Sequence, residues 1–119
     1  MKLIKRASLV IILALLVLCI SSDSSAFFED GNNLVRRLRE FEKARAGDPN
    51  ANYDDATYYM GFVIGVHDAT AYNYNTPSQI TVGQIWAVVA KYLKDNPEKW
   101  SQPASLLVME ALRKAFPKR

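Results

Sequence analysis

Cysteine, histidine and glycine are scarce in this 119-residue chain, which has one cysteine, one histidine and five glycines. The cysteine is Cys19 and the histidine is His67. A zinc site needs three or four ligands and a phosphate-binding loop needs clustered glycines, and the sequence has neither pattern. A serine-nucleophile motif is also missing. We therefore expect no metal, no cofactor and no catalytic residue, which argues against an enzyme.

Positive charge is also scarce once the first 26 residues are set aside. That segment has a net charge of +2, and because the whole chain has +3, residues 27–119 carry only +1. Between Arg36 and Lys43, basic and acidic residues alternate as they do on a solvated helix face. A nearly neutral domain lacks the basic surface by which proteins bind nucleic acid. We expect no nucleic-acid partner.

A hydrophobic run long enough to span a membrane is missing as well. The apolar run from Leu9 to Ile20 is about half the roughly 20 residues that a spanning helix needs. Basic residues precede it, and the small residues of Ser24-Ser25-Ala26, which suit a signal peptidase, follow it. The pattern predicts a signal peptide over residues 1–26, cleaved after Ala26. The product would be an exported domain, outside the cytoplasm, without stable membrane insertion.

Two alternatives are open for this N-terminal segment. One is an uncleaved membrane anchor, which the short apolar run disfavours. The other is lipidation of Cys19, since Leu16 lies three residues before it. Lipoprotein processing prefers a small residue just before the cysteine, and Leu18 is bulky. Cleavage after Ala26 is therefore the preferred interpretation.

Residues 27–119 are predicted to form one compact all-α bundle of about four helices. Apolar residues recur at helical spacing, and no long stretch alternates as a strand does. The predicted helices run from about Asn32 to Ala46, from Asp54 or Asp55 to about Ala71, from Thr81 to Pro97, and from about Ser101 to Phe116. The apolar stripe of the second helix is predicted to be Met60, Val63, Ile64 and His67.

The start of the third helix is the most clearly marked. Thr81 and Gln84 have the spacing of a capping box, in which each side chain bonds the backbone amide of the other residue. Ile80 and Ile85 have the spacing of a hydrophobic staple. Both patterns predict that the helix begins at Thr81.

His67 and Asp68 are the first residues to consider for catalysis. Neighbouring side chains on a helix point about 100° apart, so the aspartate is not expected to orient the histidine ring as a catalytic triad requires. We interpret His67 as a core or rim residue.

Gly61 and Gly65 lie inside the second predicted helix, where each costs about 1 kcal/mol relative to alanine. Because they are four residues apart they share one face, which Asp68 and Tyr72 continue towards the end of the helix. Tight packing inside the fold is the favoured explanation. A groove for a protein partner is the alternative.

Residues 72–79 form a predicted loop in which two tyrosines lie among amide side chains. Tyrosine provides contact area with few torsions to immobilise, and asparagine provides adaptable hydrogen bonds. The alternative is a solvated connection whose tyrosines fold back onto the helices. The candidate partner-binding residues are Asp68, Tyr72, Asn73, Tyr74 and Asn75.

Five motifs in order resemble the Rap/Tai family of immunity proteins, which protect bacteria from peptidoglycan amidases delivered by type VI secretion. The resemblance spans roughly residues 56–117. The motifs are the glycine helix over residues 61–69, Pro77 with Thr81-Val82-Gly83-Gln84, Tyr92-Leu93 with Asn96-Pro97-Glu98, Pro103-Ala104, and Ala111-Leu112 with Ala115-Phe116-Pro117.

The resemblance implies a periplasmic immunity protein that binds a secreted peptidoglycan amidase and occludes its active-site cleft without catalysis. Many relatives carry cysteines near the positions of Tyr59, Asn75 and Lys118, and residues 27–119 have none, so any family disulfide is absent. The alternative function is a small periplasmic envelope-stress or ligand-binding module without a toxin partner. A homodimer also stays open.

N-terminal sequencing of the protein recovered from the periplasm is expected to start at Phe27, because a signal peptidase would cut after Ala26. A start at an acylated Cys19 would show instead that the chain is a lipoprotein.

Overall fold

The computed structural model describes residues 2–18 and 27–119. Within these ranges the chain is helical and has no strand, so the predicted all-α class is confirmed. The five α-helices are α1 (Lys2–Leu18), α2 (Gly31–Arg45), α3 (Tyr53–Thr70), α4 (Val82–Asp95) and α5 (Ala104–Ala115). Short 3-10 turns at Ala71–Asn73 and Pro97–Lys99 follow α3 and α4.

Helix α1 occupies most of the predicted signal peptide. The cleavage motif Ser24-Ser25-Ala26 and Cys19 lie outside the described residues, so the predicted processing stays a prediction. Among residues 2–18 and 27–119, no helix combines the length and hydropathy needed to cross a membrane. The described residues, α1 included, extend over 78 × 42 × 22 Å, so the predicted compactness is not confirmed.

The hydrophobic core lies among α2, α3, α4 and α5. Helix α2 packs chiefly against α3, and α5 packs against both α4 and α3. Each large aliphatic side chain that is fully buried contributes about 1.5–3 kcal/mol. The largest fully buried side chains are Tyr59, Leu34, Leu38, Leu93, Leu107, Leu112, Val63, Val89 and Val108.

The buried face of α3 is rotated from the predicted stripe. Val63 is buried as expected, but the other buried residues are Ala56 and Tyr59, while Met60, Ile64 and His67 are only partly buried. Tyr59 can be buried because its hydroxyl donates a hydrogen bond to the carbonyl oxygen of Trp86 at 2.9 Å. Burial also raises the pKa of the Tyr59 phenol.

The helix starts agree with the sequence where a local signal sets them. The capping box at Thr81 is confirmed, with Gln84 N donating to Thr81 Oγ1 at 3.2 Å and Thr81 N donating to Gln84 Oε1 at 2.8 Å. Helix α3 is capped by Asn52, whose Oδ1 accepts from Asp55 N at 3.0 Å. The predicted start at Asp54 or Asp55 is therefore slightly late, because these acidic residues occupy the first turn.

Helix α5 begins at Ala104 rather than near Ser101, because the preceding backbone pairs with the segment before α2. Gly31 N donates to Gln102 O at 2.9 Å, and Ala104 N donates to Glu29 O at 3.0 Å. The approach requires glycine, since a Cβ at Gly31 would lie 2.6 Å from Leu107 Cδ1 and 2.7 Å from the Trp100 backbone. Because of this long-range pairing, α5 begins later in the sequence than predicted.

Replacing Thr81 by alanine is expected to lower the free energy of unfolding by about 1 kcal/mol, because the Gln84 amide loses its capping oxygen. Urea denaturation followed by circular dichroism measures this change. Thr57→Ala is the matched control, since Thr57 is an exposed threonine inside α3. Equal midpoints for wild type and Thr81→Ala would show that the capping box does not stabilise α4.

Candidate functional site

The glycines of α3 lie on an exposed face of the helix. A Cβ built at Gly61 or Gly65 meets no atom within 4 Å, apart from the surrounding helix backbone, among the described residues. The favoured prediction of tight packing inside the fold is therefore wrong, because α3 packs through its opposite face. Asp68, whose side chain is 74% exposed, and Tyr72, which is 72% exposed, continue this open face.

The predicted partner-binding loop divides into exposed and buried residues. Tyr72 and Asn75 are exposed and Asn73 is half-buried, whereas Tyr74 is only 3% exposed. The loop is attached to the C-terminal segment, because Asn75 N donates to Phe116 O at 3.0 Å. Tyr74 is therefore excluded as a candidate contact residue. Tyr72, Asn73 and Asn75 are accessible enough to contact a partner.

Tyr74 is buried because its hydroxyl has partners inside the fold. The hydroxyl donates to His67 O at 3.0 Å and lies 3.1 Å from Thr70 Oγ1. Its ring centroid is 5.8 Å from that of His67. Burial raises the pKa of the Tyr74 phenol. The side chain anchors the loop to the end of α3.

His67 and Asp68 are in contact, contrary to the sequence prediction. His67 Nδ1 lies 2.9 Å from Asp68 Oδ1, because rotation about the side-chain bonds brings neighbouring groups together despite their 100° separation on the helix. The other ring nitrogen, Nε2, is buried and has no hydrogen-bond partner among the described residues. A general base must reach its substrate, so this buried nitrogen is unsuited to that role.

A cleft of about 700 Å³ with several charged lining residues lies beside the loop, where the end of α4, the turn after it and the end of α5 meet. Asn73 lies in its wall and places its amide 3.8 Å from Met109 Sδ. The charged lining residues are Glu110 and four cations, Lys99, Arg113, Lys114 and Lys118. This cleft was not predicted from the sequence, although the basic residues near the C-terminus partly indicated a basic surface.

Three side chains of the cleft form a hydrogen-bonded chain. Tyr92 donates to Glu110 Oε2 at 2.6 Å, and Lys99 Nζ lies 3.0 Å from the Tyr92 hydroxyl and 3.4 Å from the same Glu110 oxygen. The bond from Tyr92, with help from Lys99, lowers the pKa of Glu110. Burial is the main cause of the raised pKa of Tyr92. Glu110 is therefore held as a carboxylate with its partners inside the protein.

Metal chemistry finds no support in the arrangement of side chains. Over residues 2–18 and 27–119, no three His, Cys, Asp or Glu side chains are grouped so that they could hold a metal ion. The described surfaces can bind by shape, hydrogen bonds and charge, and their chemistry suits recognition of a protein.

Replacing Glu110 by glutamine is expected to change how stability depends on pH. Because the folded pKa of Glu110 lies below the ordinary 4.5, the carboxylate stabilises the fold above that pH. The contribution is lost as the pH falls through the lower folded pKa. The melting temperatures of wild type and Glu110→Gln should therefore differ most at neutral pH and converge as the pH falls well below 4.5.

The matched control is Glu98→Gln, which removes an exposed carboxylate from the turn after α4. It should leave the pH profile of the melting temperature close to that of wild type. If the melting temperatures of wild type and Glu110→Gln differ by the same amount at neutral and at acidic pH, the assigned role of the carboxylate is contradicted.

Comparison with known proteins gives a match at the level of the family. No curated protein and no solved structure matches the chain. The family of Rap1a immunity proteins matches residues 30–117, which contain α2, α3, α4 and α5. The match confirms the resemblance seen over residues 56–117 and extends it to α2. The chain belongs to the Rap1a immunity protein family.

Proposed function

We propose that the protein is a periplasmic immunity protein that binds a peptidoglycan amidase delivered by type VI secretion and occludes its active-site cleft. The observation that carries this proposal is the family match over residues 30–117. An immunity protein acts by binding a toxin, so the family implies a protein partner. The amidase, the periplasm and the secretion system are the further steps of the proposal.

Export follows from where such a toxin acts. Peptidoglycan lies outside the cytoplasm, so an inhibitor that meets the amidase at its substrate must be exported. The basic residues before the apolar run and the small residues at Ser24-Ser25-Ala26 support export and cleavage.

A protein that inhibits an enzyme by covering its active site needs exposed side chains that contact the enzyme, and it needs no catalytic residue of its own. Tyr72 and Asp68 project from the open face of α3, and Asn75 lies on the adjoining loop. An exposed tyrosine is a common anchor in protein interfaces, because it buries a large area when a partner covers it.

A ligand-binding module is the second candidate function, and one groove favours it. The groove has a volume of about 560 Å³ and lies between the loop after α3 and α4. Its apolar lining includes Pro77, Ile80, Val88 and Phe116. Apolar clefts of this size can hold a small molecule. This function would need no toxin.

Replacing Tyr72 by alanine tests the proposed contact face. Because Tyr72 is exposed, its loss should change the free energy of unfolding by less than about 0.5 kcal/mol. If a bound amidase covers it, affinity should fall by roughly 30-fold, equivalent to about 2 kcal/mol. Tyr53→Ala is the matched control, since Tyr53 is a 59% exposed tyrosine at the opposite end of α3. Tyr74→Ala is unsuitable, because Tyr74 is buried.

The partner is first recovered by a pull-down with the exported protein from periplasm that contains candidate amidases. Inhibition of peptidoglycan hydrolysis is then measured for wild type, Tyr72→Ala and Tyr53→Ala, after a thermal melt of each. Equal inhibition by the two folded variants would exclude Tyr72 from the contact surface. If wild type neither binds nor inhibits any amidase, the immunity proposal fails and the ligand-binding module is favoured.

A further inference from the structure

The positive charge of residues 27–119 is concentrated at the cleft beside the loop. Four cations and one carboxylate give the cleft a net charge of +3, although residues 27–119 together carry only +1. The remainder of these residues therefore has a net charge of −2. Although residues 27–119 are nearly neutral as a whole, the surface of the cleft is strongly basic.

Most of the cleft cations form no close ion pair within the described structure, although the charge of Arg113 helps to lower the pKa of Glu110. Glu110 is engaged by Tyr92 and Lys99. Over residues 2–18 and 27–119, no ion pair is formed by Arg113, Lys114 or Lys118, which are all exposed. These three side chains can each pair with a negative group on another molecule.

The cleft adjoins the loop that carries proposed contact residues. Asn73 lies in its wall, and the neighbouring residue Tyr72 is exposed. A protein that covers this loop, Asn73 included, would lie beside the basic cleft and bring its own surface groups close to the cations. Long-range attraction between opposite charges would also speed the approach of such a partner.

We infer that the basic cleft receives an acidic segment of the toxin, whose Asp and Glu carboxylates pair with Arg113, Lys114 and Lys118. This inference rests on the proposed function and adds the chemistry of the partner surface. The free cations are on three separate side chains at the C-terminal end of α5 and in the segment after it. Carboxylates spread along a peptide segment can each meet a separate cation.

The test compares two substitutions, each of which reverses the charge of an arginine in the last turn of a helix. Arg113 lies in the last turn of α5 and lines the cleft, whereas Arg45 lies in the last turn of α2 and is not part of the lining. Arg113→Glu and Arg45→Glu therefore make the same change in net charge and place it against the same end of a helix dipole. Melting temperatures establish that both variants fold.

Association with the recovered amidase is measured by surface plasmon resonance at about 50 mM and about 500 mM salt, where charge screening differs strongly. At low salt, Arg113→Glu should bind roughly tenfold more slowly than wild type, and Arg45→Glu should bind within about twofold of it. The difference for Arg113→Glu should shrink at high salt, because its cause is electrostatic.

The outcomes separate this inference from the proposed function. If wild type binds an amidase and the two variants associate with it at the same rate, the inference of an acidic segment is wrong and the proposed immunity function is unaffected. If wild type binds no amidase, both fail together. Size-exclusion chromatography adds a further outcome: a wild-type dimer that Arg113→Glu dissociates would assign the cleft to self-association and overturn the inference.

Discussion

The reciprocal hydrogen bonds between α3 and α4 are the interaction on which the other features depend. The Tyr59 hydroxyl donates to Trp86 O, and the Trp86 indole donates to Met60 O at 3.1 Å. The Phe41 ring of α2 packs against both aromatic rings, with centroids 5.0 and 5.5 Å away. Since Tyr59 is fully buried and Trp86 is half-buried, these bonds are partly shielded from water, and they fix the rotation of α3 about its axis. That rotation turns Gly61 and Gly65 outward.

The local signals of the sequence predicted the structure well, and signals that depend on distant residues did not. The Thr81 capping box involves residues three apart, so neither its geometry nor the start of α4 depends on the rest of the fold. The start of α5 depends on Gly31 and Glu29, which lie more than 70 residues earlier in the chain. No pattern near residue 101 indicates such pairing.

Side-chain environment was the least predictable property of the candidate site. Tyr72 and Tyr74 occur in the same loop with similar neighbours, yet one is exposed and the other is bonded to the end of α3. The periodicity of α3 likewise placed Met60 on the apolar stripe and left out Tyr59, which is buried with its hydroxyl bonded to Trp86 O. The cleft was missed because Lys99 and Arg113 are distant in the chain, and total charge does not reveal their proximity.

The pairing between the segment before α2 and the segment before α5 has a consequence for the order of folding. Residues 29–31 are made more than 70 residues before their partners at 102–104 and the adjacent Leu107. A chain that emerges from the ribosome N-terminus first therefore cannot complete its core until residues 102–107 have been released. Contacts of such large sequence separation form slowly. Stable folding therefore waits for residues 102–107, and until they are made the apolar residues of α2, α3 and α4 have no complete core in which to be buried.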